Sequence, residues 1–232
     1  MKKYVIFIVC VLHAISSFAI KDLWDTNKAD WTPLMCAIYY NQTALRDSLL
    51  HTEVNVNKRT RNGLTALTVA IRKQDVESVK RLLETGRIND INDNDTSKGY
   101  RYRPRHVYIA CSLQDTAIVQ LLAEYGAIFD TVDSSGYTPL MAAVSFGSIE
   151  IVKWLLESKV NIDQQQTVGG MTALGLALYG GHIDKIKLLL EYGADKNKMD
   201  TKGRRVYDKI DYTISIGRIS EEEGEELRVL LK

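Results

Sequence analysis

Apolar residues along this chain recur at helical spacing in short blocks, each bounded by turn-forming residues. Ile151, Val152, Leu155 and Leu156 fall on one stripe of a helix. So do Ile186, Leu189 and Leu190, and likewise Val79, Leu82 and Leu83. Each block predicts a short amphipathic helix with one buried face. Ahead of it runs a second apolar stretch rich in alanine, such as Leu140, Ala142 and Ala143. Small side chains there let neighbouring helices approach closely. Ahead of that stretch comes a polar turn, of which Ser134-Ser135-Gly136 is the clearest, with Gly136 suited to a positive φ.

Local signals agree with this turn–helix–helix unit. Thr138 is placed to cap the first helix by accepting from its first free amides, and Pro139 then sits at N1, where a missing N–H costs nothing. Gly147 is expected to stop that helix in the left-handed conformation. Ser148 starts the second helix, with Glu150 in its electropositive first turn.

The unit recurs in a fixed frame. Thr32, Thr65, Thr138 and Thr172 open successive copies; Thr32 to Thr65 is 33 residues and Thr138 to Thr172 is 34. Arg105 stands in the same slot, 33 residues before Thr138. The openings Thr32-Pro33-Leu34, Gly63-Leu64-Thr65-Ala66-Leu67, Thr138-Pro139-Leu140 and Gly170-Met171-Thr172-Ala173-Leu174 are matched by closings. These are Glu84-Thr85-Gly86, Glu124-Tyr125-Gly126-Ala127 and Glu191-Tyr192-Gly193-Ala194-Asp195. Together they resemble the ankyrin-repeat family over residues 27–217.

The resemblance implies an all-α solenoid of five repeats, at residues 27–57, 58–92, 100–130, 133–163 and 167–197, with a divergent C-terminal cap at 198–232. The histidine that usually follows Thr-Pro-Leu in this family is missing throughout. Met35, Thr68, Tyr108, Met141 and Gly175 occupy its place, which implies somewhat lower stability and the same fold. The first repeat degrades after its opening, with Asn41 replacing the mid-repeat glycine. The last unit keeps the hairpin Asp200-Thr201-Lys202-Gly203 but loses Thr-Pro-Leu. Ser220 with Glu223 then predicts a capping box for a final helix. That helix would dock Leu227, Leu230 and Leu231 and turn Glu221, Glu222, Glu225 and Glu226 to water.

Residues 1–19 lie outside the repeats. Lys2-Lys3, an apolar run from Tyr4 to Ile15, and small residues at Ser17 and Ala19 read as a cleaved export signal. The run is short for a membrane span of about 20 residues. Alternatives are an uncleaved anchor or a merely apolar terminus. The basic n-region with this repeat type fits a bacterial periplasmic or secreted chain. Cleavage takes the 30 basic and 29 acidic side chains to 28 and 29. A mature chain so near neutrality has no bulk attraction to nucleic acid or to an anionic membrane. Cys36 and Cys111 remain, on the first helices of repeats one and three, roughly 20 Å apart at the usual helix spacing. A disulfide needs α-carbons within about 7 Å, so both are expected as free thiols.

Thr65 to Arg105 is 40 residues, so about seven extra residues lie within 87–103. The stretch Asn89 to Asp95 resembles a calcium loop only superficially, because position six is not glycine and position twelve is not glutamate. Beyond it, Lys98, Arg101, Arg103 and Arg105 interleave with Tyr100 and Tyr102. This basic-aromatic run reads as a solvated loop, as a grip on an acidic protein surface, or as a stacking platform for bases.

Catalysis has little support. His51, His106 and His182 are far apart along the array, and no nucleophile–base–acid set, metal cluster or phosphate loop has the needed context. No cofactor and no metal are expected, and the predicted role is binding of a protein partner by a monomeric chain. The resemblance places partners on the concave face made by hairpin tips and first helices. Carried over by frame, the contact residues are Trp31, Tyr39, Tyr40, Arg61, Leu64, Arg72, Arg101, Tyr102, Tyr137, Phe146, Met171 and Tyr179. Aromatic and arginine side chains bury much area and keep a polar handle, which suits them to this task. The competing reading is that several of these rings only pack between adjacent repeats. An exported adaptor, a secreted effector acting on a host protein, and a membrane-anchored envelope component remain three uses of one surface.

Overall fold

The computed structural model describes residues 30–89, 91–92 and 106–232. Among them lie five helix pairs and a sixth, modified pair, with no strand. The pairs are α1 (Pro33–Tyr39) with α2 (Thr43–Leu50), α3 (Ala66–Arg72) with α4 (Val76–Glu84), α5 (His106–Cys111) with α6 (Ala117–Glu124), α7 (Pro139–Phe146) with α8 (Ile149–Glu157), and α9 (Ala173–Gly180) with α10 (Ile183–Glu191). A 3₁₀ turn (Tyr207–Lys209) then leads into α11 (Ile210–Ser215) and α12 (Glu221–Leu231). First helices stack in chain order from α1 to α11, and second helices pack beside them, α2 on α4, α4 on α6 and α8 on α10. One hydrophobic core runs unbroken from Leu34 to Leu231. This is the all-α solenoid that the repeat frame predicts.

Helix starts follow the threonine frame. Thr32, Thr65, Thr138 and Thr172 each accept from the amide three residues on, at 3.1–3.2 Å. Ser148 caps α8, and Ser220 with Glu223 forms a full capping box on α12. The hairpins close on a carboxylate. Asp133 accepts from the amides of Ser135 and Tyr137, and Asp200 does the same for Lys202 and Arg204.

Four details differ from the sequence expectations. Gly147 is extended (φ −79°, ψ 177°), not left-handed. Glycine is needed there because a Cβ would run into the Cys111 carbonyl of the preceding repeat. The left-handed residue of this turn is instead Asn41, Gln74 and Gly181 in repeats one, two and five. Second, the links lost with the missing histidine are made otherwise. His106 Nε2 lies 3.3 Å from Thr65 Oγ1 and 3.1 Å from Thr68 Oγ1, bridging repeats two and three. The Tyr108 hydroxyl donates to the Tyr137 carbonyl at 3.0 Å, bridging repeats three and four. Third, Leu227 and Leu231 dock as expected, but Leu230 is exposed.

The fourth concerns the insertion. A ladder of Asn and Asp side chains ties the bases of the hairpins together. Asn57 bonds the Arg87 carbonyl and the Asn89 amide. Asn92 bonds Gly126 and Ile128, Asp130 bonds Asn161, and Asp163 bonds Asp195. Asp130 to Asp163 is 33 residues, Asn57 to Asn92 is 35 and Asn92 to Asp130 is 38. Two extra residues therefore precede Asn92 and five follow it. The extra length is thus divided in the sequence by Asn92, a rung of the ladder, instead of lying all on one side of it.

Cys36 and Cys111 are free thiols, and Cys111 is fully buried. Residues 1–19 and the basic-aromatic run 98–105 lie outside the described residues.

Candidate partner-binding face

Because first helices stack in register, one side chain per repeat returns to the same edge. Seven residues past each opening slot stand Tyr39, Arg72, Ser112, Ser145, Tyr179 and Tyr212, the first five at or near the C-terminal ends of the first helices and Tyr212 within α11. All are half-buried except Tyr212, which is exposed. This row, with the adjacent hairpin tips, is the surface on which the predicted contact residues fall.

At the N-terminal end three predicted residues come together. Trp31 meets Tyr39 edge-on at 5.3 Å, and Tyr39 meets Tyr40 edge-on at 5.1 Å. Lys73 Nζ sits 5.3 Å over the Tyr39 ring, where the negative face of the π system attracts a cation. Tyr40 is 57% exposed. Arg61 is exposed at the next tip, and its amide donates to the Asp30 carboxylate, which fixes one tip to the other. Arg72 is half-buried beside Lys73.

In the middle of the array two predicted contacts are corrected. Leu64 is 2% exposed and Tyr137 is 7% exposed, so both belong to the interior. The Tyr137 ring stacks on Tyr108 at 6.4 Å, its hydroxyl donates to Ser145 Oγ, and burial pushes its phenol up to about 12. Both lie just ahead of the threonine slot, where the chain turns inward to start the helix. Met171, at the same frame position, is half-buried against the core. Arg101 and Tyr102 lie outside the described residues.

Toward the C-terminus the row becomes aromatic and basic again. Phe146 and Tyr179 are half-buried. Burial raises the Tyr179 pKa, and the neighbouring Tyr212 phenol adds to this. His182 is lowered by burial and by the Lys185 charge, against a backbone hydrogen bond at Ser145. Lys185 Nζ crosses from α10 to the end of α7 and donates to the carbonyls of Ala143, Val144 and Gly147 at 3.1, 2.8 and 2.8 Å. Gly181 is left-handed (φ 71°) and so close to the Arg218 carbonyl that a Cβ would collide with it. Arg218 is thereby held against the turn that joins α9 and α10.

Tyr212 and Arg218 are surface residues that the sequence reading missed. A signal for Tyr212 was present. Thr172 to Arg205 is 33 residues, and seven further on stands Tyr212. The loss of Thr-Pro-Leu hid that frame.

Among the described residues no three His, Cys, Asp or Glu side chains converge as a metal site would require, and no helix is long and apolar enough to cross a membrane. A family model described as "Ankyrin repeats" matches the chain three times, at residues 7–95, 88–166 and 107–200. Among similar proteins, "Ankyrin repeat protein nuc-2" of Neurospora crassa is 31% identical over 175 residues, 73% of this chain and 15% of the relative. Alpha-latrotoxin-Lg1a of Latrodectus geometricus is 39% identical over 95 residues, 40% of this chain and 6% of the relative. The B-cell lymphoma 3 protein homolog of Mus musculus is 29% identical over 147 residues, 62% of this chain and 32% of the relative. The chain thus spans a third or less of each. With the family matched across most of its length, and with capped helix pairs stacked in a 33-residue frame, this chain belongs to the ankyrin-repeat family, whose stacked units serve protein–protein interaction.

Proposed function

We propose that this chain is a non-catalytic, exported docking protein that holds a protein partner along its hairpin tips and first-helix ends. The observation that carries the reading is the row at the seventh frame position. It places Tyr39, Arg72, Tyr179 and Tyr212 along one edge of a stack that is already fixed in register by caps and by the Asn/Asp ladder. A surface ordered before binding loses little entropy on association. Export to the periplasm or the medium rests on residues 1–19, basic, then apolar, then small. N-terminal sequencing of the exported chain is expected to begin at Ile20, and an intact Met1 would mean a retained anchor.

Docking is tested with Tyr40→Ala/Arg61→Glu, which changes two exposed side chains and no core residue. Crosslinking and pull-down from the native compartment are expected to recover a partner with the wild type and lose it with the double variant, while the helical circular dichroism is unchanged. Equal recovery would remove the partner from the N-terminal part of this face.

A further inference from the structure

We propose that Arg218, Tyr179 and Tyr212 form a subsite that takes an acidic side chain of the protein partner. The inference rests on the reading that a partner docks along the first-helix ends, and adds what chemistry it brings there. Arg218 is exposed, and among the described residues its guanidinium makes no hydrogen bond or ion pair. Its backbone is fixed on both sides. The amide donates to the Thr213 carbonyl, and the carbonyl lies against Gly181. The side chain therefore leaves from a defined point beside Tyr179, two residues before that glycine, and Tyr212 on the neighbouring first helix.

Charge selects the ligand. The other cation at this turn, Lys185, is committed to three carbonyls and has no carboxylate to neutralise it. Several carboxylates on the last two units are engaged elsewhere, whereas the exposed Asp184, Glu221 and Glu222 enter no ion pair among the described residues. Asp211 pairs with Arg228, Asp208 with Arg205, Asp200 with Arg204 and Lys209, and Glu226 with Lys187. Arg218 thus stands as an unpaired cation flanked by two phenols that can donate. A planar guanidinium with adjacent hydroxyl donors fits the fork of a carboxylate, which it can hold bidentately. An acidic peptide segment meets this corner with complementary charge, whereas a basic or purely apolar one leaves Arg218 uncompensated.

The test is selection from a random displayed peptide library on the full, folded chain, in parallel with Arg218→Glu and Tyr179→Phe/Tyr212→Phe. Peptides selected by the wild type are expected to be enriched in Asp and Glu. The best of them, made synthetically, is expected to bind Arg218→Glu about tenfold or more weakly, and the double phenylalanine variant about threefold more weakly. Matching circular dichroism and melting curves show that both variants are folded. A selection that yields no acidic bias, or acidic peptides that bind Arg218→Glu as well as the wild type, overturns the subsite. The first of these outcomes leaves docking elsewhere on the face intact, because that is judged by Tyr40→Ala/Arg61→Glu. Binding that follows inorganic phosphate or an oligonucleotide in place of the peptide also overturns it.

Discussion

Repeat four and the last unit build the same shape from different materials. Repeat four uses the repeat grammar. Thr138 caps α7, Pro139 occupies its first position, Asp133 closes the hairpin, and Ser148 caps α8. The last unit keeps the hairpin carboxylate and a serine cap on its second helix, but not the threonine and proline that start the first. There Asp200 accepts from two amides and is also ion-paired to Arg204 (2.9 Å) and Lys209 (3.1 Å). Where a threonine cap would stand, the Arg205 amide donates to Asp208, and a 3₁₀ turn precedes α11. Geometry is thus retained while short-range caps are exchanged for charge. The interior unit answers to packing, and the last unit answers also to pH and salt.

The sharpest separation comes from the core. Leu155 on α8 and Leu227 on α12 are both fully buried. Truncating either to alanine removes similar contacts and is expected to cost about 3 kcal/mol locally. The consequences differ because each unit of a solenoid touches only its neighbours. Leu155→Ala weakens an interior unit bonded on both sides, and is expected to lower the main unfolding transition. Leu227→Ala weakens an end unit, and is expected to detach α11 and α12 while α1–α10 stay folded. Hydrogen exchange read peptide by peptide distinguishes the two. Protection lost across the whole chain in Leu227→Ala would mean that the last unit is integral and not a cap.

A smaller effect probes the charge. Burial opposes the ionised form of Asp200, but the Arg204 amide and guanidinium, the Lys209 ammonium and the Lys202 amide outweigh it and hold the carboxyl well below the usual range. A folded pKa below the unfolded one contributes stability above the unfolded value of about 3.9, and that contribution disappears as pH falls through the acid range. Asp200→Asn is expected to cost about 2 kcal/mol at pH 7. Its stability should also fall less steeply than the wild type's between pH 5 and 3. Urea midpoints at a few pH values check this, and parallel slopes would show that Asp200 acts through its amide contacts alone.

Much of the architecture was legible because the grammar is local. Threonine caps, the Ser220–Glu223 box and the helical stripes depend on residues within a few positions of one another. What was missed depends on contacts between repeats. Gly147 is required by a carbonyl thirty-six residues away, at Cys111, and no pattern around it distinguishes that need from a left-handed turn. Tyr137 and Leu64 carry surface-like frame positions, but whether they turn inward depends on the neighbouring tip. His106 replaces a family contact from two positions before the expected slot, so its bridge to Thr65 and Thr68 was visible only once the repeats were stacked. Trp31, Tyr39 and Tyr40, which the repeat frame set on one face, pack edge-on against one another. The continuation of the frame to Tyr212 was hidden by a lost motif and not by a lost period.

The gentlest perturbation isolates the caps. Thr138 Oγ1 accepts from the Met141 amide at 3.1 Å, in a site where water does not replace it readily because both residues are buried. Thr138→Ala should cost about 1 kcal/mol, the ordinary worth of an N-cap. In the last unit the corresponding start has no hydroxyl cap, so Arg205→Thr offers the reverse experiment. The threonine could supply the missing acceptor, but it removes the Arg205–Asp208 pair, which lies at the surface and contributes little. Arg205→Thr is therefore expected to stabilise the last unit by a few tenths of a kcal/mol or leave it unchanged, with the gain insensitive to salt. A loss of stability that disappears in high salt would show that the ion pair, not the missing cap, sets the start of α11.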